Sequence, residues 1–404
     1  MHGEISAMHH SIEVSLLTGG FDKPYALGLI GALNARGVQV NVIGGDDIND
    51  PAFLTTPSVR LLRLMPVRRE GENLVGRLCK VLIYYLRLVR YVAGAKARII
   101  HVLWNNKFQI FDRTALMVYY RLLGKEVVLT AHNVNAGRRD SADSWLNRFT
   151  LRVQYRLASH IFVHTEKMKQ ELVGEYKVRD NSITVIPFGI NNTVRITNLA
   201  PTEAKRILGI RSEEKTILFF GNIGPYKGLD ILVTAFQSMA AKGDGYRLII
   251  AGKARGGCDD YLKRIQAAIN QDPHAAQVIQ RIGYVRDEDV EMYFKAADVL
   301  ALPYREVSQS GVLFLGYSFG LPVVAADVGC LRDDIVEGRT GYVCRSDDSV
   351  EFANALEKYF QSELFENLQQ YREQIRAEAI KRHSWDFTGE RTCLVYRQLS
   401  EEGQ

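Results

Sequence analysis

Four short stretches carry residue types that could do chemistry. Lys227 closes the loop Gly221-Asn222-Ile223-Gly224-Pro225-Tyr226-Lys227-Gly228. An ammonium beneath a glycine-rich loop at the start of a helix suits a phosphate, although a solvated loop lysine looks the same in sequence. Farther on, Pro303-Tyr304-Arg305-Glu306-Val307-Ser308-Gln309-Ser310-Gly311 holds one acid, Glu306, and leads into an apolar helix. Ser308, Gln309 and Ser310 can cap that helix, and Gly311 leaves the N–H groups about Val312 uncovered. Unpaired donors and the positive end of the helix dipole then point at one spot, which favours an anion. In the first half, His132 begins the polar run His132-Asn133-Val134-Asn135-Ala136-Gly137-Arg138-Arg139. The imidazole can donate a hydrogen bond to a substrate oxygen, shuttle a proton, or serve only the fold. Arg138 and Arg139 can hold a phosphate or carboxylate, or form a solvated pair. Gly19 and Gly20, after an apolar run, let backbone approach a ligand or make a plain turn.

Each stretch follows an apolar run of strand length. The runs at 12–18, 38–43, 59–64, 98–104, 127–130, 161–163 and 183–186 lie in the first half, and those at 216–220, 248–251, 299–302 and 323–326 in the second. Helical periodicity separates many of them, as at 24–36, 229–241 and 287–297. Strands alternating with helices predict an α/β fold with parallel sheets, in which ligands sit at the carboxyl ends of the strands. A chain of 404 residues exceeds one typical core, and Pro187–Asn192 has the composition of a crossing point. The expected division is 1–188, 189–380 and a last helix within 381–404.

The overall charge of +5 conceals an asymmetry: residues 1–188 hold 25 Lys and Arg against 16 Asp and Glu, and the remainder 26 against 30. The first half is the one expected to meet an anionic surface or substrate. Basic residues are not arranged in a recognisable nucleic-acid motif, so nucleic acid is not an expected partner. Five scattered cysteines without a CxxC pair argue against a zinc site or disulfide framework and for a reducing compartment. No N-terminal run resembles a signal peptide, and no charge-free run approaches membrane-spanning length. Residues 74–92, LVGRLCKVLIYYLRLVRYV, place Arg77, Lys80, Arg87 and Arg90 on one arc of a helix otherwise rich in Leu, Val, Ile and Tyr. That pattern fits an amphipathic helix on an anionic membrane, or a packed helix whose arginines reach back to solvent.

These residues resemble a family, the retaining GT-B glycosyltransferases of family four. The likeness rests on the Lys227-Gly228 loop, Gly283-Tyr284-Val285, Ala297-Asp298, the 302–311 loop and Gly320-Leu321-Pro322-Val323-Val324. Gly19-Gly20, Thr130-Ala131-His132 and Val185-Ile186-Pro187-Phe188-Gly189-Ile190 extend it over nearly the whole chain. The resemblance implies two Rossmann-like domains facing a central cleft, the first binding acceptor and the second donor, with a C-terminal helix crossing back to the first. It implies a nucleoside diphosphate sugar as donor substrate, no cofactor, no required metal, and retention at the anomeric carbon. Donor-binding positions would be Gly19, Gly20, Asn222, Lys227, Tyr284, Val285, Ser310, Gly311 and Val312. Acceptor-binding positions would be Asn133, Arg138 and Arg139. His132, Lys227 and Glu306 would serve catalysis.

Two positions depart from the family pattern. Asn222 stands where an arginine usually precedes the lysine, and Leu315 or Gly316 stands where the second of two glutamates usually holds the ribose. The expected activity is hexosyl or related transfer to a glycan or lipid-linked glycan in polysaccharide assembly. The expected location is cytoplasmic and peripheral on the inner membrane face. The departures leave two alternatives open, a non-catalytic nucleotide-sugar-binding subunit and a sugar-nucleotide epimerase of the same fold.

Overall fold

The computed structural model describes residues 12–20, 22–44, 56–66, 73–140, 142–191, 193–243 and 245–402. The chain forms two compact units, residues 1–189 with 385–404, and residues 190–384.

The first unit is built on a parallel sheet in the order β3-β2-β1-β4-β5-β6-β7. Its strands are β1 (Glu13–Leu17), β2 (Gln39–Ile43), β3 (Val59–Leu62), β4 (Ile99–Val102), β5 (Glu126–Thr130), β6 (His160–Val163) and β7 (Ile183–Val185). The inner strands β4 and β6 are buried along their whole length, which is why they read as near-continuous apolar runs, broken only by His101 and His160, rather than alternating ones. Order reverses between β1 and β4, which pair directly. The helix Lys23–Asn34 follows β1 and is capped by the Asp22 carboxylate, which accepts from Tyr25 N at 3.1 Å.

The last helix, Trp385–Glu401, belongs to this unit. It lies against Lys23–Asn34 because Gly28 and Gly389 let the two approach: a Cβ on Gly28 would overlap the Trp385 indole, and one on Gly389 would come 2.8 Å from Ala32 Cβ. Tyr396 on this helix reaches the sheet, its hydroxyl 2.6 Å from His101 Nδ1, while His101 Nε2 meets Thr130 Oγ1 at 2.8 Å. His101 is therefore a fully buried, doubly hydrogen-bonded core residue.

The helix Leu74–Gly94 buries Val81, Tyr84, Tyr85, Leu88 and Val92 in the core of the first unit. Its other face exposes Val75, Leu78, Leu82, Ile83 and Leu86. The packed-helix reading describes one side of this helix, and apolar side chains stand exposed on the other. Among the described residues no helix is long and apolar enough to cross a membrane.

The second unit has a parallel sheet in the order β10-β9-β8-β11-β12-β13. These strands are β8 (Lys215–Phe220), β9 (Tyr246–Gly252), β10 (Val278–Ile282), β11 (Val299–Leu302), β12 (Val323–Ala326) and β13 (Gly341–Cys344). Strand β10 was not evident in sequence because it is an edge strand carrying Gln280 and Arg281, half-buried at best. A buried ion pair stabilises the strand starts: Lys205 Nζ lies 2.8 Å from Asp298 Oδ2, which also accepts from Thr216 N at 2.8 Å.

Candidate active site

In the second unit β8 and β11 pair at the centre of the sheet, and their neighbours β9 and β12 lie on opposite sides. Loops leaving their carboxyl ends therefore lie at the switch point of the sheet, the usual ligand position in such folds. The β8 loop makes a tight turn over Pro225–Lys227, closed by Gly228 at φ 63°. Only glycine fits there, since a Cβ would collide with the Pro303 carbonyl of the β11 loop. This backbone approach presses the two loops together.

Lys227 is consequently buried, with Nζ donating to the Tyr304 hydroxyl at 2.7 Å and lying 4.3 Å from that ring's centre. Burial raises the Tyr304 hydroxyl's pKa, so the phenol stays protonated beside the ammonium, with Ser310 as a polar neighbour. Ser310 caps the helix Gly311–Ser318 by accepting from Leu313 N at 3.4 Å. A Cβ on Gly221 would lie 3.4 Å from Val312 Cγ2 and 4.0 Å from Lys227 Nζ, so Gly221 lies near both the ammonium and the Val312 side chain in the first turn of that helix. The geometry combines a buried cation with a helix N-terminus, which is suited to a polyanion.

Arg305 ties the loops from behind. Its guanidinium donates to both oxygens of Asp230 at 2.8 Å each, to Asp347 at 2.6 Å and to the Pro225 carbonyl at 3.1 Å. Arg305 is thus not the partner of Glu306. The Glu306 side chain is exposed and makes no hydrogen bond among the described residues. Asn222 is exposed, Val285 is half-buried, and Tyr284 is 72% exposed with Lys253 Nζ 5.7 Å from its ring centre. Leu315 packs inward, and a Cβ on Gly316 would press Leu300 Cδ2 at 2.8 Å, so neither position can present a side chain to a ribose.

In the first unit Gly19 and Gly20 adopt φ 60° and 73° after β1. A Cβ on Gly19 would come 2.7 Å from Trp104 Cβ and its carbonyl oxygen, beyond β4. Trp104 in turn stacks on His132, ring centres 4.0 Å apart and planes nearly parallel at 3°. His132 Nδ1 lies 3.0 Å from His164 Nε2, and His164 Nδ1 lies 3.2 Å from the Ile186 carbonyl. Burial and the neighbouring His164 hold the His132 pKa well below 6.5, and burial lowers His164 to about 4. Asn133 is half-buried. Arg138 is engaged by Glu171 at 3.0 Å, by Asp143 at 3.7 Å and by Glu175, so its charge is already met by three carboxylates. This corrects the expectation of an arginine open to an anion. The Arg139 side chain lies outside the described residues.

Residues 23–189 match the family model described as "Glycosyl transferase 4-like domain", and residues 214–362 match "Glycosyl transferases group 1". The chain belongs to the group 1 glycosyltransferases. Curated relatives include a D-inositol 3-phosphate glycosyltransferase of Corynebacterium diphtheriae, 27% identical over 57% of this chain and 56% of the relative. Another so named, from Actinosynnema mirum, is 24% identical over 92% of this chain and 90% of the relative. The match thus spans little more than half the length of the first of these relatives. Among solved structures, sucrose-phosphate synthase from Thermosynechococcus elongatus superposes with TM-score 0.76 at 18% identity, covering 97% of this chain and 100% of that one. Anabaena HepE in complex with UDP and glucose gives 0.72 at 17% identity, covering 96% and 100%. At these identities the likeness shows the fold, GT-B, with two parallel-sheet α/β domains.

For a group 1 glycosyltransferase, the sequence singled out Lys227, Ser310, Gly311, Val312 and the Gly19–Gly20 turn, and the structure puts each at a switch point of its sheet. Sequence reasoning passed over Tyr304, Trp104 and His164. Tyr304 had a signal, being the residue after Pro303 at a strand end. Trp104 had only its place at the end of the apolar run 98–104, and His164 its place directly after β6, which single out no role until the fold brings them to His132.

Proposed function

We propose that the protein is a retaining glycosyltransferase that moves a sugar from a nucleoside diphosphate sugar to a hydroxyl of a glycan or lipid-linked glycan. The observation that carries this reading is the buried Lys227 ammonium beside the N-terminus of Gly311–Ser318 at the β8–β11 switch point. Breaking a sugar–phosphate bond develops negative charge on the diphosphate and positive charge at the anomeric carbon. A fixed cation and oriented amides aimed at the leaving group stabilise that transition state without a protein acid. The HepE complex with UDP and glucose, a protein of the same fold, supports a nucleotide sugar as donor.

Retention follows most simply from front-face departure, in which the leaving phosphate takes the proton of the incoming hydroxyl. The sparse acids at the second unit's switch point support it, because among the described residues no carboxylate is placed there as a buried nucleophile: Glu306 is exposed, and Asp230 is engaged by Arg305. The reading assigns no metal to the leaving group, whose charge Lys227 and the helix amides can meet. A lipid-linked acceptor at a membrane face is supported by the uncovered apolar side of Leu74–Gly94 with its basic residues. The exposed, stacked Trp145 and Phe149 on the helix Trp145–Leu157 add to it.

Thermal-shift screening of nucleotides and nucleotide sugars identifies the donor, since a ligand that binds only the folded chain raises its melting temperature. Transfer or hydrolysis of the labelled donor then tests the activity, and a chain that binds donor but turns none over defeats the reading. Lys227→Ala is expected to lower kcat and kcat/KM together, because the charge matters most as the diphosphate departs. Unchanged turnover in that variant would remove Lys227 from the mechanism.

A further inference from the structure

Two imidazoles stand in series at the ends of β5 and β6. The Ile186 carbonyl can only accept, so His164 Nδ1, 3.2 Å away, must carry a proton. Burial keeps His164 neutral near pH 7, so its Nε2 has a lone pair. That lone pair faces His132 Nδ1 at 3.0 Å, and His132 Nδ1 must therefore be the donor. His132 is neutral too, which leaves its Nε2 without a proton. This Nε2 is buried and has no hydrogen-bond partner. The ring cannot turn to find one, being stacked on Trp104 and met edge-on by Tyr25 and Phe188.

We infer that His164 is a positioning residue that holds His132 as its Nδ1–H tautomer, so that His132 meets substrate as a hydrogen-bond acceptor for a hydroxyl group and not as a donor. The Ile186 carbonyl orients His164, and His164 orients His132, in the manner of a histidine whose second nitrogen decides what the first can do. A buried polar atom left unpaired calls for a reason, and a ligand hydroxyl supplies one. The hydroxyl can belong to the transferred sugar or to the acceptor, and both present the same O–H. The effect on turnover rests on the transferase reading above, whereas the tautomer does not.

The test is a two-bond nitrogen–proton correlation spectrum of the full chain labelled with 15N-histidine, recorded at pH 7 without ligand. His132 is expected to be neutral and protonated at Nδ1 alone. A His132 protonated at Nε2 in the parent chain overturns the inference. In His164→Phe, which keeps a ring but neither nitrogen, His132 is expected to lose its exclusive Nδ1–H form and populate the Nε2–H form. In His164→Gln the amide offers a donor to Ile186 and an acceptor to His132, and the parent pattern is expected to return. A folded His164→Phe chain whose His132 stays wholly Nδ1-protonated, or a folded His164→Gln chain that fails to restore the parent pattern, also overturns it. With a donor in hand, His164→Phe is expected to lose kcat with little change in KM. Loss in both hydrolysis and transfer assigns the hydroxyl to the transferred sugar, and loss in transfer alone assigns it to the acceptor. Parent chain with the expected tautomer but no turnover of any nucleotide sugar would defeat the transferase reading and leave this inference standing.

Discussion

At the scale of single residues, the switch point of the second unit's sheet is a problem in placing charge. Lys227 is buried against a protonated phenol and a helix N-terminus, so its field reaches a bound diphosphate with little screening by water. Glu306 is the opposite case. It stands exposed in the same loop, and Arg305 is already taken by Asp230 and Asp347. A carboxylate near phosphate would repel it, so the role consistent with this position is to accept hydrogen bonds from sugar hydroxyls as the ring gains positive charge. Glu306→Gln keeps the size and removes the charge. Turnover is expected to fall by about 10²-fold, the loss typical of one well-placed electrostatic group. Affinity for the bare nucleoside diphosphate, measured by calorimetry on the same variant, is expected to stay within about twofold. Collapse of nucleotide affinity instead would make Glu306 the ribose-holding acid that Leu315 and Gly316 cannot be.

At the scale of elements, two devices decide what the site loops can do. The first is the Arg305 fork, which joins the β8 and β11 loops through Asp230 and the Pro225 carbonyl. Arg305→Ala is expected to raise KM for the donor and lower kcat by roughly tenfold or more, since small misplacement of positioned groups is costly. An Arg305→Ala chain with parent kinetics would show that the Gly228–Pro303 contact alone sets the loops. The second is the helix Leu74–Gly94, which is packed on one face and apolar on the other. Each basic residue near an anionic surface is worth about 1 kcal/mol, so changing Arg77, Lys80, Arg87 and Arg90 to Gln is expected to abolish binding to phosphatidylserine vesicles. Arg87 also donates to the Leu64 carbonyl at 3.2 Å, a bond that the shorter Gln gives up. Circular dichroism checks that the fold persists. Vesicle binding unchanged in the variant, or missing in the parent, would make the apolar face a surface for something other than anionic lipid.

At the scale of the whole molecule, the two units differ in how they answer acid. The first unit buries His101, lowered to about 3, His160 and His164, each lowered to about 4, and His132, held well below 6.5. Unfolded, each would bind a proton near 6.5. Between about 6.5 and 4 the unfolded state therefore holds more protons, so the stability of neutral burial is present above that window and is lost as pH falls through it. Asp112, pushed up to about 6, together with Asp22 and Glu171, works in the opposite direction there, but against four histidines. In the second unit Asp334, pushed up to about 7 by burial, gains from acid. Hydrogen exchange at pH 7 and pH 5 is thus expected to show protection falling first in the sheet of the first unit. His160→Gln, which removes one titrating group, is expected to flatten the pH dependence by up to about 1.4 kcal/mol per pH unit between 6 and 4.5. Equal loss of protection in both units would contradict this assignment.

Much of the architecture is local in origin and was therefore legible in sequence. The buried strands of parallel sheets announce themselves as apolar runs, as at β6, β11 and β12, and glycines such as Gly19 and Gly228 mark turns where a side chain would collide with backbone. From those features alone followed the α/β class, the phosphate-suited character of the Lys227 loop and the capped helix at Ser310. Where the pattern depended on solvent at a sheet edge, as at β10, it was not legible. Contacts between distant parts of the chain were decided only by tertiary structure. Spacing cannot show that Arg305 would choose Asp230 over its neighbour Glu306, or that Arg138 would be claimed by Glu171, Glu175 and Asp143. Nor can it show that the residue after β6 would meet His132 and fix which nitrogen carries its proton. Hydrophobic periodicity is a property of neighbours along the chain, whereas ion pairing and tautomer choice depend on which groups the folded backbone brings within about 3 Å of each other.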